Sequence, residues 1–242
     1  TETMRAAVFK DVRDIHIEEV PYPRCGPTDA IVRVTTTTIC GTDSHIWRGE
    51  YPVAPGRIVG HEPVGVIHEL GEAIQGYEVG DRVVVGAITP CGACYFCQRG
   101  DLSQCAGYED QWGMIGGWRL GNSMDGVQAE FFRVPYAQAN LAKIPEGLSD
   151  EEVVFVTDIA TTGISAIETA DVQLGDSVVV FAQGPIGLCA TAGARLRGAG
   201  LVIGVDSNPV RLEVAKKMGA DVVIDYTQED PVAKVKALTE GR

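Results

Sequence analysis

Short apolar runs rich in β-branched residues, separated by Gly, Pro and Asp, occupy the chain from Met4 to about Tyr136. Their length and spacing are typical of strands in an irregular, barrel-like β domain. The runs are AAVF, IHIEEV, AIVRVTTTTI, PVGVIHEL, DRVVVG and VQAEFFRV. Between the third and fourth runs, the residues from Thr42 to Arg48 predict a short helix.

The pattern changes near Ser149, where apolar positions begin to recur at helical spacing. Ser149 is a typical N-cap and acidic residues follow it, so we predict one long helix over SDEEVVFVTDIATTGISAIETA. The segments SVVVF, LVIGVD and DVVIDY are predicted as buried strands, each followed by a helical segment. Strands that alternate with helices in this way form the βαβ units of a parallel sheet.

These patterns predict a mixed β and α/β protein with a β domain at residues 1–150 and an α/β domain at residues 151–242. A doubly wound dinucleotide-binding sheet has two halves and about six strands. The second domain supplies the three strands of one half, so we expect the chain to be truncated.

Composition restricts the partners and the compartment. A formal net charge of −13 disfavours binding to nucleic acid or to an anionic membrane surface. No window has the roughly 18 uncharged apolar residues of a membrane span, and we expect a cytoplasmic protein with neither partner. Seven cysteines, four of them clustered, indicate metal ligation in a reducing compartment rather than a disulfide framework.

The clustered cysteines follow the spacing C-x2-C-x2-C-x7-C, and they are Cys91, Cys94, Cys97 and Cys105. Four thiolates this close can surround one tetrahedral zinc. An iron–sulfur cluster of the bacterial ferredoxin type would have a proline beside its fourth ligand, and unliganded surface thiols would be reactive. We therefore predict a structural zinc loop at residues 89–106.

A second possible ligand set is Cys40, His61 and Asp158, which would leave a fourth position open, as in catalytic zinc sites. The three residues are far apart in the sequence, and a single His beside a strand is often only a packing residue. Polar neighbours favour the metal. Asp43 could accept a hydrogen bond from the ligating imidazole, and Glu62 could be an alternative ligand or a neighbour that tunes the metal.

The strand SVVVF leads into an A-x-G-x-x-G sequence and then a helix, the arrangement of a dinucleotide fingerprint. Gly184 would allow the backbone to approach the pyrophosphate, and Gly187 would allow the helix to pack closely on the strand. Ala182 replaces the first glycine, and Pro185 and Ile186 fill the positions between the other two.

Asp206, at the end of the next strand, favours NAD over NADP. Its carboxylate can accept hydrogen bonds from the adenosine ribose and would repel a 2′-phosphate. Ser207 and Asn208 add no cation, whereas Arg211 is a nearby positive charge that could also lie against the adenine or in solvent.

These motifs resemble those of the zinc-dependent medium-chain dehydrogenase/reductase family. The similar segments are CGTDSH, GHEPVGVIHELG, GDRVVVGAITP, the four-cysteine loop and QGPIGL. Two longer segments, GGWRLGNSMDGVQAEFF and VTDIATTGISAIETADVQLGD, are most similar to bacterial secondary-alcohol dehydrogenases. The best-known of these use NADP and have a glycine and a cation at the positions of Asp206 and Asn208, and several lack the four-cysteine loop.

The resemblance implies a GroES-like β-barrel catalytic domain joined to half of a Rossmann domain. It also implies an oxidoreductase that interconverts a secondary alcohol and its ketone or aldehyde with NAD and zinc. The zinc ligands would be Cys40, His61 and Asp158, and the Thr42 hydroxyl would pass the substrate proton through the nicotinamide ribose to His45. The matching substrate-pocket positions are Ala87, Ile88 and Trp118, although the first two could equally be packing residues.

Two alternatives remain open at this stage. One is a polyol or threonine dehydrogenase of the same family, and the other is a non-catalytic zinc-binding fragment. For the intact enzyme we expect a homo-oligomer, a tetramer rather than a dimer.

Overall fold

A computed structural model describes residues 2–107 and 117–241 of the chain. The chain divides into two units, Thr1–Asp158 and Ile159–Arg242. The unit boundary therefore lies at Asp158, inside the segment that the sequence pattern assigns to the α/β domain.

Antiparallel sheets form the first unit. Strands β1 (Thr3–Asp11) and β2 (Asp14–Pro21) pair with each other, and five further strands form a sheet in the order β6-β3-β4-β5-β7. These five are β3 (Ala30–Thr37), β4 (Pro63–Leu70), β5 (Arg82–Val85), β6 (Phe131–Val134) and β7 (Leu141–Lys143). All six predicted strands are present, and the three-residue β7 is an addition that the sequence pattern did not indicate.

The register between β3 and β4 determines which loop residues meet. Thr37, the last residue of β3, lies opposite Pro63, the first residue of β4. Because the two strands are antiparallel, the residues that follow β3 and those that precede β4 leave the sheet at the same edge. Cys40 and His61 are therefore brought to one end of the sheet, although 21 positions separate them.

Short helices connect the strands of this unit. The predicted helix after Cys40 is α1 (Gly41–Trp47), and two single-turn helices follow, α2 (Tyr95–Gln98) and α3 (Ala137–Asn140). A 3₁₀ turn at Leu102–Gln104 lies within the four-cysteine loop.

The prediction of one long helix after Ser149 is wrong. The N-cap is confirmed, because the Ser149 hydroxyl accepts from the Glu152 backbone N–H at 3.3 Å and the Glu152 side chain accepts from the Ser149 N–H at 2.8 Å. However, helix α4 ends after Asp150–Val153 and continues as a 3₁₀ turn at Val154–Thr157. Asp158 has non-helical backbone angles, φ −147° and ψ −64°, and helix α5 (Ile159–Thr169) begins after it.

The break has a physical cause in the sequence. The segment VVFVT is rich in β-branched residues, whose side chains lose rotamer freedom in a helix and lower its stability. The Thr157 carbonyl also accepts a hydrogen bond from the Ala87 N–H at 2.9 Å, which ties this turn to the residues that follow β5.

Parallel strands β8 (Ser177–Phe181), β9 (Leu201–Asp206) and β10 (Val222–Asp225) form the sheet of the second unit, in the order β10-β9-β8. Helices α6 (Pro185–Leu196), α7 (Pro209–Lys217) and α8 (Pro231–Leu238) follow the three strands in turn. Each begins with proline, which fits the first turn because it lacks only an N–H that the helix leaves unbonded. Within residues 2–107 and 117–241, no helix is both long and apolar enough to span a membrane.

Candidate active site

Four potential metal ligands converge at the edge of the five-stranded sheet. The atoms that Cys40, His61, Glu62 and Asp158 can offer to a metal all lie within 4.8 Å of one another. The β3–β4 register brings the first three together, and the hydrogen bond between Ala87 and Thr157 fixes the backbone next to the fourth. His61 Nε2 lies 3.3 Å from Asp158 Oδ2 and 3.7 Å from Glu62 Oε1.

The surroundings of these residues fit a cation. Glu62 is only 1% exposed, and its Oε1 has no hydrogen-bond partner among the described residues. Its other carboxylate oxygen accepts from the Thr38 hydroxyl, and burial raises the pKa of Glu62. A buried, unpaired carboxylate oxygen is costly unless a cation or a proton compensates it.

The potential around His61 is negative. Burial lowers the pKa of His61, but hydrogen bonds to Asp158 and Cys40 outweigh this effect and raise it to about 10. A thiolate, an imidazole and carboxylates are the donor types that zinc takes in proteins. The donor set and its charge therefore fit Zn²⁺.

Asp43 supports the same cluster from helix α1. Its Oδ2 accepts a hydrogen bond from the Cys40 N–H at 2.8 Å, which fixes the start of the helix. Asp43 is buried, and burial raises its pKa, opposed by the Cys40 N–H and by the charge of His61. Its Oδ1 has no hydrogen-bond partner in the described part of the chain, so the Asp43 carboxylate bonds the Cys40 backbone and not the His61 imidazole.

The two residues expected to carry the proton lie on α1. The Thr42 hydroxyl is 3.7 Å from the Cys40 sulfur. His45 lies one turn further along, with 43% of its side chain exposed, and its Nδ1 is hydrogen bonded to the Glu50 carboxylate. Thr42 is thus next to a possible metal ligand, and His45 is in contact with solvent.

Four sulfur atoms form a second possible metal centre. The sulfurs of Cys91 and Cys97 are 3.9 Å apart, those of Cys94 and Cys97 3.6 Å, and those of Cys94 and Cys105 3.9 Å. Tetrahedral zinc with Zn–S bonds of about 2.3 Å needs sulfurs about 3.8 Å apart. The four sulfurs are thus already spaced for one zinc ion.

The nucleotide fingerprint has the geometry of a phosphate-binding turn. A Cβ placed on Gly187 would lie 1.9 Å from the Ala182 carbonyl oxygen, so only glycine fits there. A Cβ on Gly184, the N-cap of α6, would meet no atom within 4 Å, which leaves open space beside the first backbone N–H groups of this helix. Open space at a helix N-terminus is suited to an anion. Pro185 and Ile186 form the first turn, and the Ile186 side chain is 43% exposed.

Asp206 closes this turn from the end of β9. Its Oδ2 accepts from the Gln183 N–H at 2.7 Å, and its Oδ1 accepts from the Ser207 and Asn208 N–H groups at 2.8 Å each. Burial acts to raise the pKa of Asp206, but these N–H donors and the charge of Arg211 outweigh it and hold the pKa below its usual range. Arg211 Nη1 lies 3.7 Å from Oδ2.

Known protein families match parts of both units of the chain. Residues 26–146 match the family described as alcohol dehydrogenase GroES-like domain, and residues 185–242 match the family described as zinc-binding dehydrogenase. An alcohol dehydrogenase of Cupriavidus necator is 54% identical to the chain, with all of the chain and 68% of that protein aligned. The chain belongs to the zinc-dependent medium-chain alcohol dehydrogenase family.

Other members of the family align over a similar share of their length. The NADP-dependent isopropanol dehydrogenase of Thermoanaerobacter brockii is 41% identical over 93% of this chain and 62% of its own length. The solved structure of alcohol dehydrogenase TADH from Thermus sp. ATN1 superposes with a TM-score of 0.88 at 39% identity, and it covers 98% of this chain and 68% of that one. The chain thus spans about two thirds of the length of these relatives.

Membership confirms the expected fold class, a GroES-like β domain with part of a Rossmann-type sheet. It also confirms the general function. The chain is an alcohol–ketone oxidoreductase of a family that uses zinc and a nicotinamide cofactor, and its substrates are small molecules.

The predicted pocket residues of this family member lie in different surroundings. Ala87 is buried and donates its N–H to the Thr157 carbonyl, next to Asp158. Ile88 is 39% exposed and lines a cavity of about 140 Å³ with Pro90 and Leu102. Trp118 packs on the core that contains Ile46 and Phe9, and its ring centroid is 5.4 Å from that of Tyr51.

Sequence reasoning missed two residues near these sites. Glu50 bonds His45, and the available signal was a carboxylate shortly after the end of α1. Arg119 is fully buried and donates to the carbonyls of Thr89 at 3.2 Å and Cys105 at 2.5 Å. It therefore joins the two ends of the four-cysteine loop, and its signal was an isolated arginine between Trp118 and Leu120.

Proposed function

We propose that this protein oxidises a small secondary alcohol to its ketone, or reduces the ketone, with NAD as the hydride carrier. Its catalytic zinc would be held by Cys40, His61 and Asp158, and a second, structural zinc by Cys91, Cys94, Cys97 and Cys105. The proposal depends most on one observation, the approach of four ligand atoms from three separate parts of the chain to within 4.8 Å.

A zinc ion held there would supply Lewis acidity to the alcohol oxygen. Glu62 would occupy the fourth position when no substrate is bound, since its Oε1 is buried and has no hydrogen-bond partner among the residues that the structure describes. Asp43 would hold the Cys40 backbone in place through the 2.8 Å bond from the Cys40 N–H. The Thr42 hydroxyl would accept the substrate proton as it gives up its own, and His45 would take up the released proton and pass it to solvent, since its side chain is 43% exposed.

The preference for NAD rests on Asp206. A carboxylate has about four lone-pair sites, and the three backbone N–H groups leave one for a ribose hydroxyl. A 2′-phosphate at the same place would meet the negative charge of Asp206, and Arg211 is the one cation paired with that carboxylate among the described residues. The pyrophosphate would bind at Gly184, Pro185, Ile186 and Gly187, where the N-terminus of α6 favours an anion.

The preference for secondary alcohols rests on two observations. The relatives from Thermoanaerobacter brockii and Mycoplasma pneumoniae are named for isopropanol, at 41% identity each. The candidate pocket residues Ala87, Ile88 and Trp118 have apolar side chains, whereas a polyol or threonine would need polar groups for its additional hydroxyl or charged groups.

Kinetics with four substrate and cofactor combinations test the proposal. We expect kcat/KM for propan-2-ol with NAD to exceed that for sorbitol with NAD, for threonine with NAD and for propan-2-ol with NADP. Faster turnover of sorbitol or threonine would assign the enzyme to the polyol or threonine class instead. If the protein binds zinc but neither turns over a substrate nor binds NADH, it would instead be a non-catalytic zinc-binding fragment.

A pair of cysteine variants tests the ligand assignment. Cys40→Ser should lower zinc content by one ion per chain and abolish turnover. Cys25→Ser is the matched control, because Cys25 is also a free, partly buried cysteine but lies outside both ligand sets. Equal activity in the two variants would contradict the assignment.

We further propose that residues 1–150 form the catalytic domain, with the structural zinc loop at 89–106, and that residues 151–242 form part of the nucleotide domain. We propose a cytoplasmic location because all seven cysteines are free and zinc thiolates persist in a reducing compartment. The intact enzyme would be a homo-oligomer, a tetramer rather than a dimer, which its mass in solution would test.

A further inference from the structure

A cavity of about 380 Å³ lies on the first unit, beside β1, the end of β2 and the start of β6. Its volume is in the lower part of the range of small-molecule sites. None of its lining residues belongs to the proposed zinc, substrate or nucleotide sites. The cavity is therefore a separate feature of the β domain.

Three guanidinium groups line the cavity, from Arg24, Arg57 and Arg133, with Asp125 as the one carboxylate among the lining residues. Such a concentration of arginine is unexpected in a chain whose formal net charge is −13. The arginines thus give this cavity a charge opposite to that of the chain as a whole.

The three arginines are only partly paired with carboxylates of the protein. Arg24 makes no ion pair with any residue that the structure describes. Arg57 binds Asp125 through Nη1 at 3.0 Å, while its Nε is buried and has no hydrogen-bond partner within residues 2–107 and 117–241. Arg133 is paired with Asp29, which does not line the cavity, through a long contact of 3.4 Å. Three guanidinium groups are therefore matched by only two carboxylates, and guanidinium N–H groups remain available to bind a ligand.

The floor of the cavity is apolar and fixed. Met4, Ile58, Met124 and Phe132 line it, and each is 8% exposed or less. Pro21 and Pro23 line the side that carries Arg24 and restrict the backbone there. A ligand with an oxyanion and a small apolar body would match both parts, because planar guanidinium groups bind carboxylates and phosphates with two parallel hydrogen bonds.

We propose that this cavity binds a small organic anion, a phosphate ester or carboxylate with one apolar group, at a site separate from the active site. The oxyanion lies between the exposed guanidinium groups of Arg24 and Arg133, and Arg57, which also lines the cavity, adds positive charge. The apolar group lies on the floor formed by Met124 and Phe132.

Calorimetric titration of the full chain with phenyl phosphate tests this proposal, with benzoate, inorganic phosphate and benzamide as comparison ligands. We expect saturable binding of phenyl phosphate and benzoate at one site per chain, weaker binding of inorganic phosphate and none of neutral benzamide. Phenyl phosphate and benzoate represent the two possible anion types, and the tighter of them identifies the head group. Binding of benzamide as tight as that of benzoate would overturn the proposal.

Arginine variants locate the site. Arg24→Gln and Arg133→Gln should each weaken phenyl phosphate binding by about tenfold, the usual loss for a charge-assisted hydrogen bond. Both side chains are exposed at the surface, so neither change should prevent folding. Arg197→Gln is the matched control, since Arg197 is 46% exposed and paired at 3.3 Å, compared with 47% and 3.4 Å for Arg133.

Three further results would overturn the proposal: no saturable binding of either anion, equal weakening by all three variants, or displacement of phenyl phosphate by NAD. The last result would place the phosphate at the N-terminus of α6 instead.

Discussion

Ala182 occupies a backbone conformation that suits glycine, with φ +68°. It stands at the first glycine position of the nucleotide fingerprint, and its carbonyl oxygen is the atom that excludes a side chain from Gly187. An L-residue in the left-handed region costs about 1–2 kcal/mol. Replacement by glycine removes that strain but adds about 0.4–1 kcal/mol of unfolded-state entropy. The strain term is the larger, so Ala182→Gly should stabilise the unit by about 0.5–1 kcal/mol.

Thermal unfolding measures this difference. For a unit of this size, 1 kcal/mol corresponds to about 4–8 °C, so we expect the unfolding transition of the α/β unit to rise by about 2–8 °C in Ala182→Gly. The matched control is Ala233→Gly, at an exposed position within α8. There the backbone is helical and glycine should lower stability by about 0.5–1 kcal/mol. If both variants lower the transition temperature equally, the argument from strain at Ala182 is refuted.

Four further predictions follow from the geometry. Gly187→Ala places a Cβ 1.9 Å from the Ala182 carbonyl oxygen, so NADH affinity should fall at least tenfold by fluorescence titration, whereas Gly184→Ala meets no protein atom and can interfere only with bound nucleotide. Asp206→Gly should raise the ratio of kcat/KM with NADP to that with NAD by at least tenfold, because it removes the charge that repels a 2′-phosphate; an unchanged ratio would contradict the role of Asp206. Cys105→Ser should lower zinc content by one ion per chain and destabilise the β domain in denaturant titrations, since its buried sulfur belongs to the four-sulfur cluster. The pKa of Asp221 is lowered in the folded protein by the Val202 N–H and by Arg195. The Asp221 carboxylate therefore stabilises the fold at pH values above its pKa in the unfolded chain, and this stabilisation is lost as the pH falls through its lower pKa in the folded protein. Asp221→Asn should accordingly reduce the loss of stability that acid causes below about pH 4.

Most of the β domain could be predicted because its strands are β-branched runs bounded by Gly, Pro and Asp, as in PVGVIHEL. Strand β7 has only three residues, LAK, and is formed by pairing with β5, a contact that no local pattern indicates. Similarly, the long helix was predicted because the apolar period continues through Asp158. The helix breaks there because the β-branched turn before it is weakly helical and the Thr157 carbonyl is bonded outside the helix.

The candidate ligands could be named from their residue types, but their approach could not, since it depends on contacts between distant segments. The same is true of Glu50 and Arg119. A carboxylate after a short helix and an arginine between two apolar residues are each compatible with an ordinary surface position. Only the folded structure shows that one bonds His45 and that the other donates to the carbonyls of Thr89 and Cys105.

Two backbone contacts therefore determine whether the candidate zinc site exists. The first is the pairing of Thr37 with Pro63, which sets the positions of Cys40 and His61. A slip of one residue would turn the side chains that follow each strand to the opposite face. The second is the hydrogen bond from the Ala87 N–H to the Thr157 carbonyl, which holds Asp158 out of the helix and 3.3 Å from the imidazole. The irregular backbone at Asp158 is thus the condition under which the last residue of the first unit can join the cluster formed by Cys40 and His61.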